Sequence, residues 1–545
     1  MKKIEHVDYR ILAEQNLIFL KFISDYKTVQ SFYPSPVHLS VEHLVKRAEI
    51  VSKREKLFPI SSLYKILIEF NQSIEAGEAT FSNIEKLKYS KTVAIVTGQQ
   101  VGLFGGEAFA IYKALTAVRL AQILEEAGYS AVPVFWLASD DSDFLEVRST
   151  TFRNPQGNRF DVTYPGPNKN TPKMVGSMHL SAIEKCLHSL EDQGLKGGFS
   201  DEILTLLRKC FRPERLFQEG LGAWLAQLFR ENGLILFDAL SDYKSEIQSL
   251  FRIAIQERSG LLRDLKRREQ RVREKGLKPQ VRVSDLETLL FWVDGENRHK
   301  LEYGQFGYSS QSLSGPKWSS EQLSKIVKEQ EVEMAPNVLL RPILQDWLFP
   351  TVAYVGGPSE VAYFAQVNAI SRRWNLETSI FPRASITLVD RKAQRLLRKY
   401  QLTTADFFRN SANDLGNTIL SSGKFSRSID DFTNLRSHMR TELHTLQTAI
   451  EKIDPVVADM MNRSEKKILY QLDRIQHRLI ENERGRQSVL GSHLDYLYSN
   501  LYPESQLQER LMNFNQFLSE EGPSLISHLI ETVDPFCPSH QVIYL

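Results

Sequence analysis

The sequence predicts an α/β protein: a Rossmann-like, doubly wound core broken by insertions and followed by a C-terminal helical coiled coil. Three observations carry that prediction. First, "TVAIVTG" (92–98) is short, β-branched and closed by glycine; an amphipathic pattern then runs from Ile111 to Leu124, and "AVPVFWLASDD" (131–141) follows as a second apolar run. Strand, helix and strand in that order form a right-handed βαβ unit. Second, "PTVAYVGGPSEVAYFAQ" (350–366) repeats the device, an apolar strand whose glycine pair opens a helix. Third, Met439, Leu443, Leu446, Ile450, Ile453 and Val457 step by four and three, and Ile468, Leu472, Ile475 and Leu479 resume the pattern. That spacing is the a/d seam of a coiled coil.

Taken in order, residues 1–147 hold N-terminal helices and the first half of the core. "SVEHLVKRAEIVSKREKLF" (40–58) and "SLYKILIEFNQSIEA" (62–76) place apolar residues at helical intervals. Residues 148–335 read as inserted connecting regions, polar at first ("NPQGN", "YPGPNKNTPK"), with a further buried strand in "GLILFDAL" (233–240) behind the helix "GAWLAQLFREN" (222–232). The stretch 260–285 predicts a basic helix whose charges form a solvated face. Around "SLSGPKWSS" (312–320) the chain turns. Residues 336–390, which run through "SITLVD" (385–390), form the second half of the core, two apolar strands framing the glycine pair that opens a helix. Residues 391–515 form the coiled-coil domain, and 516–545 a C-terminal segment. Within the seam, Asp454 and Pro455 fit an N-cap and a first helical position. A helical hairpin and a kinked rod both fit, and either is a packing element for self-association.

Bulk composition excludes several classes. Apolar residues make up 42% and charged residues 25% of 545, the balance of a soluble globular protein of two to four structural units. Net charge is +2, from 68 basic and 66 acidic residues, so there is no broad footprint for nucleic acid or an anionic membrane. Three scattered cysteines make neither a disulfide framework nor a zinc site. The first residues lack a signal-peptide apolar region and no run of about 18 apolar residues occurs, so the expected location is the cytoplasm.

Chemistry concentrates at the ends of the predicted strands. "TGQQVGLFGG" (97–106) matches neither the Walker A loop nor G-x-G-x-x-G. The "GK" of "SSGKFS" (421–426) lacks the upstream glycine. What remains at Gly98 is a strand-to-helix loop with backbone N–H groups for an anion, and with the paired donor and acceptor amides of Gln99 and Gln100. Asp140, Asp141 and Asp143 crowd three carboxylates at the end of the second strand. Such a cluster can bind an ammonium group, take its proton or hold a divalent metal, and repulsion would raise at least one pKa; equally, it can cap the helix that follows. Arg341, Gln345 and Asp346 interrupt an apolar run, so each must be paired or functional, Arg341 with Asp346 being one such pairing. Gly356 and Gly357 turn a strand into a helix that carries Glu360 in its first turn. Tyr354 and Tyr363 can line a pocket there, and Arg383 in "FPRAS" lies at another strand edge.

These blocks together resemble the cysteine-adding enzyme (BshC) family of bacillithiol biosynthesis. The resemblance is carried by "TGQQVGLFGG…AIYKALTAVRLA" (97–121), "VPVFWLASDDSDFLEV" (132–147), "LLRPILQDWLFPTVAYVGGPSEVAYFAQ" (339–366), "PRASITLVD" (382–390) and "LYPESQLQERLMN" (501–513), in order over nearly the whole chain. It implies a Rossmann-like core related to class I synthetase folds and a coiled coil that supports a homodimer. It also implies a ligase that joins the carboxyl of L-cysteine to the amino group of glucosaminyl malate, the last step of that pathway. On this reading Asp140, Asp141 and Asp143 accept the proton of the amine. Arg341, Arg383 and Lys113 meet the malate carboxylates, and Trp136 joins the substrate-binding set. Activation of the cysteine carboxyl calls for ATP or another nucleotide, although the chain carries no ordinary ATP signature and no metal motif. Ser142 stands where the family pattern usually has histidine, which leaves two alternatives: an amide ligase of the same fold for another amino acid or amine, and a non-catalytic, ligand-binding coiled-coil dimer.

Overall fold

The structure is a computed structural model, and it describes residues 4–12, 15–34, 39–310, 317–420, 426–484 and 488–545. The glycine–lysine pair of "SSGKFS" and part of "SLSGPKWSS" lie outside the described residues, as does the side chain of Leu479.

The core is a five-stranded parallel sheet of β1 (Val93–Gln100), β2 (Ala131–Ala138), β3 (Ile235–Asp238), β4 (Thr351–Gly356) and β5 (Ile380–Pro382), in spatial order 3-2-1-4-5. Parallel strands covered on both faces read as continuous apolar runs. Val93, Ala94, Ile95 and Val96 are accordingly fully buried, each larger side chain contributing about 1.5–3 kcal/mol. Helix α1 (Phe109–Glu126) joins β1 to β2 and is buried nearly all round, because the helices Val41–Ser52 and Leu525–Thr532 cover its outer faces. Edge strand β3 is blunted by Asn71, whose amide donates to the Leu236 carbonyl (2.8 Å) and accepts from its N–H (3.1 Å). Strand order reverses between β1 and β4, so the crevice beyond their carboxyl ends is the topological switch point.

Two segments depart from the sequence expectation. "SITLVD" does not join the core: Ile386–Val389 pairs with His540–Tyr544, which also pairs with Ile4–Val7, in a separate three-stranded sheet. Local pattern marks a strand but not a partner about 150 residues away. The basic helix spans Arg258–Glu274 and ends before Gly276, whose φ of +70° breaks the helix; its predicted continuation becomes loop and then an antiparallel four-stranded sheet (Glu287–Asp294, Asn297–Gly304, Gly307–Ser310 and Glu333–Pro336).

The C-terminal helices Ser426–Glu451 and Pro455–Arg484 form a hairpin rather than a rod. Arg436 pairs with Asp473 (3.4 Å) and Arg440 with Glu465 (3.7 Å), a descending register that only antiparallel helices produce. Asp454 caps the second helix by accepting the N–H groups of Val456 (2.9 Å) and Val457 (3.2 Å), and Pro455 takes the first helical position.

Candidate active site

Glycines first bring the backbone together. A side chain at Gly98 would put its Cβ 2.6 Å from the Trp136 carbonyl oxygen, so β1 and β2 approach at that point only with glycine. Gly105 has φ +94° and abuts the Trp224 ring, where a Cβ would lie 2.4 Å from the nearest carbon. Behind the loop, the Asn513 amide donates to the carbonyls of Phe104 (3.0 Å) and Gly106 (2.9 Å), and Asn515 adds a bond to Phe104 (2.8 Å). The back of "TGQQVGLFGG" is therefore packed and tied to the C-terminal segment, and its front presents Gln99 and Gln100.

That front opens on a cavity of about 310 Å³ at the switch point. Its floor is a buried network. The Lys113 ammonium lies 2.6 Å from Glu360 Oε2 and donates to the Gly98 carbonyl (2.9 Å) and to Gln99 Oε1 (3.0 Å). Glu360 also accepts from the Gly357 N–H (2.6 Å) and the Tyr354 hydroxyl (2.8 Å). Burial pulls the lysine below its usual range, against the pull of Glu360. Trp136 lines the same cavity, fully buried, and its indole N–H has no acceptor among the described residues. An unmet buried donor of this kind is costly unless something supplies the acceptor.

One wall is an acid–arginine cluster. Asp141 Oδ1 accepts from Arg298 (2.7 Å) and from the N–H groups of Ser142 (2.7 Å) and Asp143 (3.3 Å), and its Oδ2 from Gln100 Nε2 (3.2 Å). Asp140 and Arg298 lie behind this wall, off the cavity lining: buried Asp140 faces Arg341 at 3.4 Å and Arg298 at 3.7 Å. Crowding does not raise the Asp141 carboxyl: burial works upward, but Arg298 and Arg341 outweigh it and hold the group below the usual carboxylate range. Behind the wall, burial does push up the carboxyl of Asp238 at the end of β3, to about 6; it bonds the Ser139 hydroxyl.

The remaining sequence candidates divide. Gln99, Gln100, Arg341, Gln345, Gly357, Tyr363 and Arg383 line the cavity with the groups above. Gly356 stands just behind it, its α-carbon turned toward Glu360 and Ile380. Asp143 caps the short helix Phe144–Val147 and accepts from Asn170 (2.7 Å), away from the cavity lining. Asp346 does not pair with Arg341, since five residues on a helix sit about 140° apart; it is buried near Arg47 and Arg54 with its carboxyl raised to about 7. Arg383 lines the cavity but gives two nitrogens to Glu509 (2.8 and 2.7 Å), leaving its buried Nε without a partner.

Sequence reasoning missed Arg298, Arg510 and Glu107. Arg298 reaches Asp141 from a β-hairpin about 157 residues away, for which no local signal exists. Arg510 lies in "LYPESQLQERLMN" and shares both the main cavity and a smaller one of about 220 Å³ beside it. Glu107 did carry a signal: it is the one charged residue between Lys91 and Lys113, set directly after the glycine pair. Among the described residues there is no group of three His, Cys, Asp or Glu that can hold a metal ion, and no helix long and apolar enough to cross a membrane. Burial pushes the thiols of Cys186 and Cys210 up to about 12, so neither is a nucleophile.

A 3-2-1-4-5 parallel sheet with a polar cavity at its switch point defines a Rossmann-like core. Two family profiles cover almost the full length: "Bacillithiol biosynthesis BshC, N-terminal Rossmann-like domain" over residues 3–384, and "Bacillithiol biosynthesis BshC, C-terminal coiled-coil domain" over 386–545. The chain belongs to the BshC family of bacillithiol biosynthesis. Relatives carrying the name "Putative cysteine ligase BshC" include one from Koribacter versatilis, 31% identical over 96% of this chain and 97% of that protein. Others are from Salinibacter ruber, at 27% over 96% of each chain, and Bacillus cereus, at 25% over 98% and 99%.

Proposed function

We propose that this protein is an amide-forming ligase that joins the carboxyl of L-cysteine to the amino group of glucosaminyl malate, completing bacillithiol in the cytoplasm. The observation that carries the reading is the switch-point cavity, where Lys113, Arg341, Arg383 and Arg510 stand against Asp141, Glu146 and Glu360. A dicarboxylate such as malate needs cations in a fixed array, and guanidinium groups held by buried acids supply one. The names of the relatives supply cysteine. Gln99, Gln100 and Trp136 offer the donors and acceptors that sugar hydroxyls require.

Condensation of a carboxylate with an amine is uphill in water, so an activated cysteine is needed, and ATP or another nucleotide is the proposed source. Ser142 does not overturn the reading: its N–H serves Asp141 and its side chain is not among the cavity lining. We assign the hairpin to a homodimer, supported by Ile453, Val456, Met460 and Tyr470, which are 84%, 72%, 62% and 62% exposed along it.

Mass spectrometry of purified protein with glucosaminyl malate, cysteine and ATP, and of mixtures lacking each, tests the reading. The expected product has the mass of the two substrates less water and requires the nucleotide. A product from another amino acid in its place redirects the substrate; binding without any product redirects the protein to a ligand-binding role.

A further inference from the structure

Two of the acids that line the larger cavity are ion-paired and poorly suited to take a proton, and the third, Glu146, lines both cavities. Asp141 is locked by two arginines and Glu360 by a lysine. Amide formation begins from an ammonium group, so a proton acceptor has to stand within reach of the amine. The smaller cavity supplies one. It shares Gln99, Gln100, Phe109, Glu146 and Arg510 with the larger, so the two are lobes of one space. Glu107 lies in the smaller lobe only, between the glycine pair and the start of α1. Two charged groups face it from neighbouring elements. Glu146, from the helix Phe144–Val147, is occupied by the Gln100 amide (2.8 Å), and Arg510 belongs to the turn Gln508–Arg510. Neither forms an ion pair with Glu107, whose carboxyl is met only by its own backbone N–H among the described residues.

We propose, resting on the ligase reading above, that Glu107 binds the ammonium group of the acceptor substrate in the smaller lobe and accepts its proton as the amide forms. The acyl donor lies in the larger lobe, activated as a mixed anhydride with a phosphate group. The ammonium gives one proton to the Glu107 carboxylate; the freed nitrogen pair forms the C–N bond to the acyl carbon. The C–O bond to the phosphate then breaks, the electron pair leaving with the phosphate oxygen, and the second nitrogen proton passes to solvent. Arg510, common to both lobes, is the cation placed to face that leaving group. Burial agrees with the role: opposed by the bond from the Glu107 backbone N–H and by Arg510, and assisted by Glu146, it pushes the Glu107 carboxyl up to about 7. A base poised there exchanges protons with an amine near neutral pH.

The test is calorimetric binding of glucosaminyl malate and of its N-acetyl derivative, which lacks the charge, to full-length wild type, Glu107→Gln and Glu107→Asp between pH 5.5 and 7.5. Wild type should prefer the free amine, with a preference that grows roughly tenfold as Glu107 ionises over that range. Glu107→Gln should lose both the preference and its pH dependence, and Glu107→Asp should retain part of each. An unchanged preference in Glu107→Gln, or no binding of the amine by wild type, overturns the assignment. Product formation measured on the same wild-type preparation separates the two claims. Product with a Glu107-independent preference keeps the ligase and removes Glu107; no product with a Glu107-dependent preference does the reverse.

Discussion

At the switch point, charged groups are buried and apolar side chains form the walls behind them; on the hairpin the arrangement is inverted. Lys113 is 3% exposed and is held by three oxygens, whereas Ile453 is 84% exposed. Buried charge costs several kcal/mol per ion unless partners offset it, so a cleft lined by Lys113 and Arg383, with Asp140 and Glu509 behind it, has been shaped around charge. An exposed apolar stripe carries the opposite cost, and in the proposed function a second hairpin relieves it. The two regions should therefore fail differently when altered.

The largest effect is expected at the buried Arg383–Glu509 pair, where Glu509 accepts two guanidinium bonds, the Ser385 hydroxyl (2.7 Å) and the Ile386 N–H (2.9 Å). Glu509→Ala should cost about 3–5 kcal/mol, read from urea midpoints, because it strands a buried arginine. Next, Arg341→Ala should lower product formation about 100-fold, close to 3 kcal/mol of transition-state binding, with folding intact by circular dichroism. Loss of folding in parallel would make Arg341 structural.

A smaller effect concerns pH. Burial lowers His540, between Ser385 (2.7 Å) and Thr387 (2.8 Å), to about 4. Unfolded histidine titrates near 6.5, so below that pH the unfolded chain takes up a proton the folded chain refuses. The stability present above pH 6.5 is lost as pH falls toward 4, by about 2 kcal/mol between pH 7 and pH 5 for this group. His540→Gln should shed that part of the acid sensitivity, and equal slopes in the two proteins would remove His540 from the account. The smallest effect on stability belongs to the hairpin: Ile453→Asp should shift the midpoint by less than about 0.5 kcal/mol, as exposed sites do, while light scattering reports the monomer. A variant that stays dimeric would place the interface elsewhere.

The parts of this fold legible in the sequence are those fixed by short-range physics. β1, α1, β2 and β4 announce themselves through apolar runs and glycines, and Asp454–Pro455 through capping chemistry. The glycine loop was legible as a place where backbone and amides meet a cavity, since backbone approach and paired amides are local properties. What stayed hidden depends on partners distant in the chain: Ile386–Val389 finding the C-terminal strand, and Arg298 crossing from an inserted hairpin to Asp141. At Asp141 the arginines also outweigh the upward shift that burial alone would give, because the sign of that shift is set by neighbours the local sequence does not contain.

The claim on which the rest depends is that substrate binds in the cavity beyond β1 and β4. A crystal structure of the protein soaked with glucosaminyl malate tests it most directly. Density for the malate carboxylates is expected against Arg341 and Lys113, with the amino group toward Glu107. Density seated on another surface, with this cavity holding only water, would contradict it.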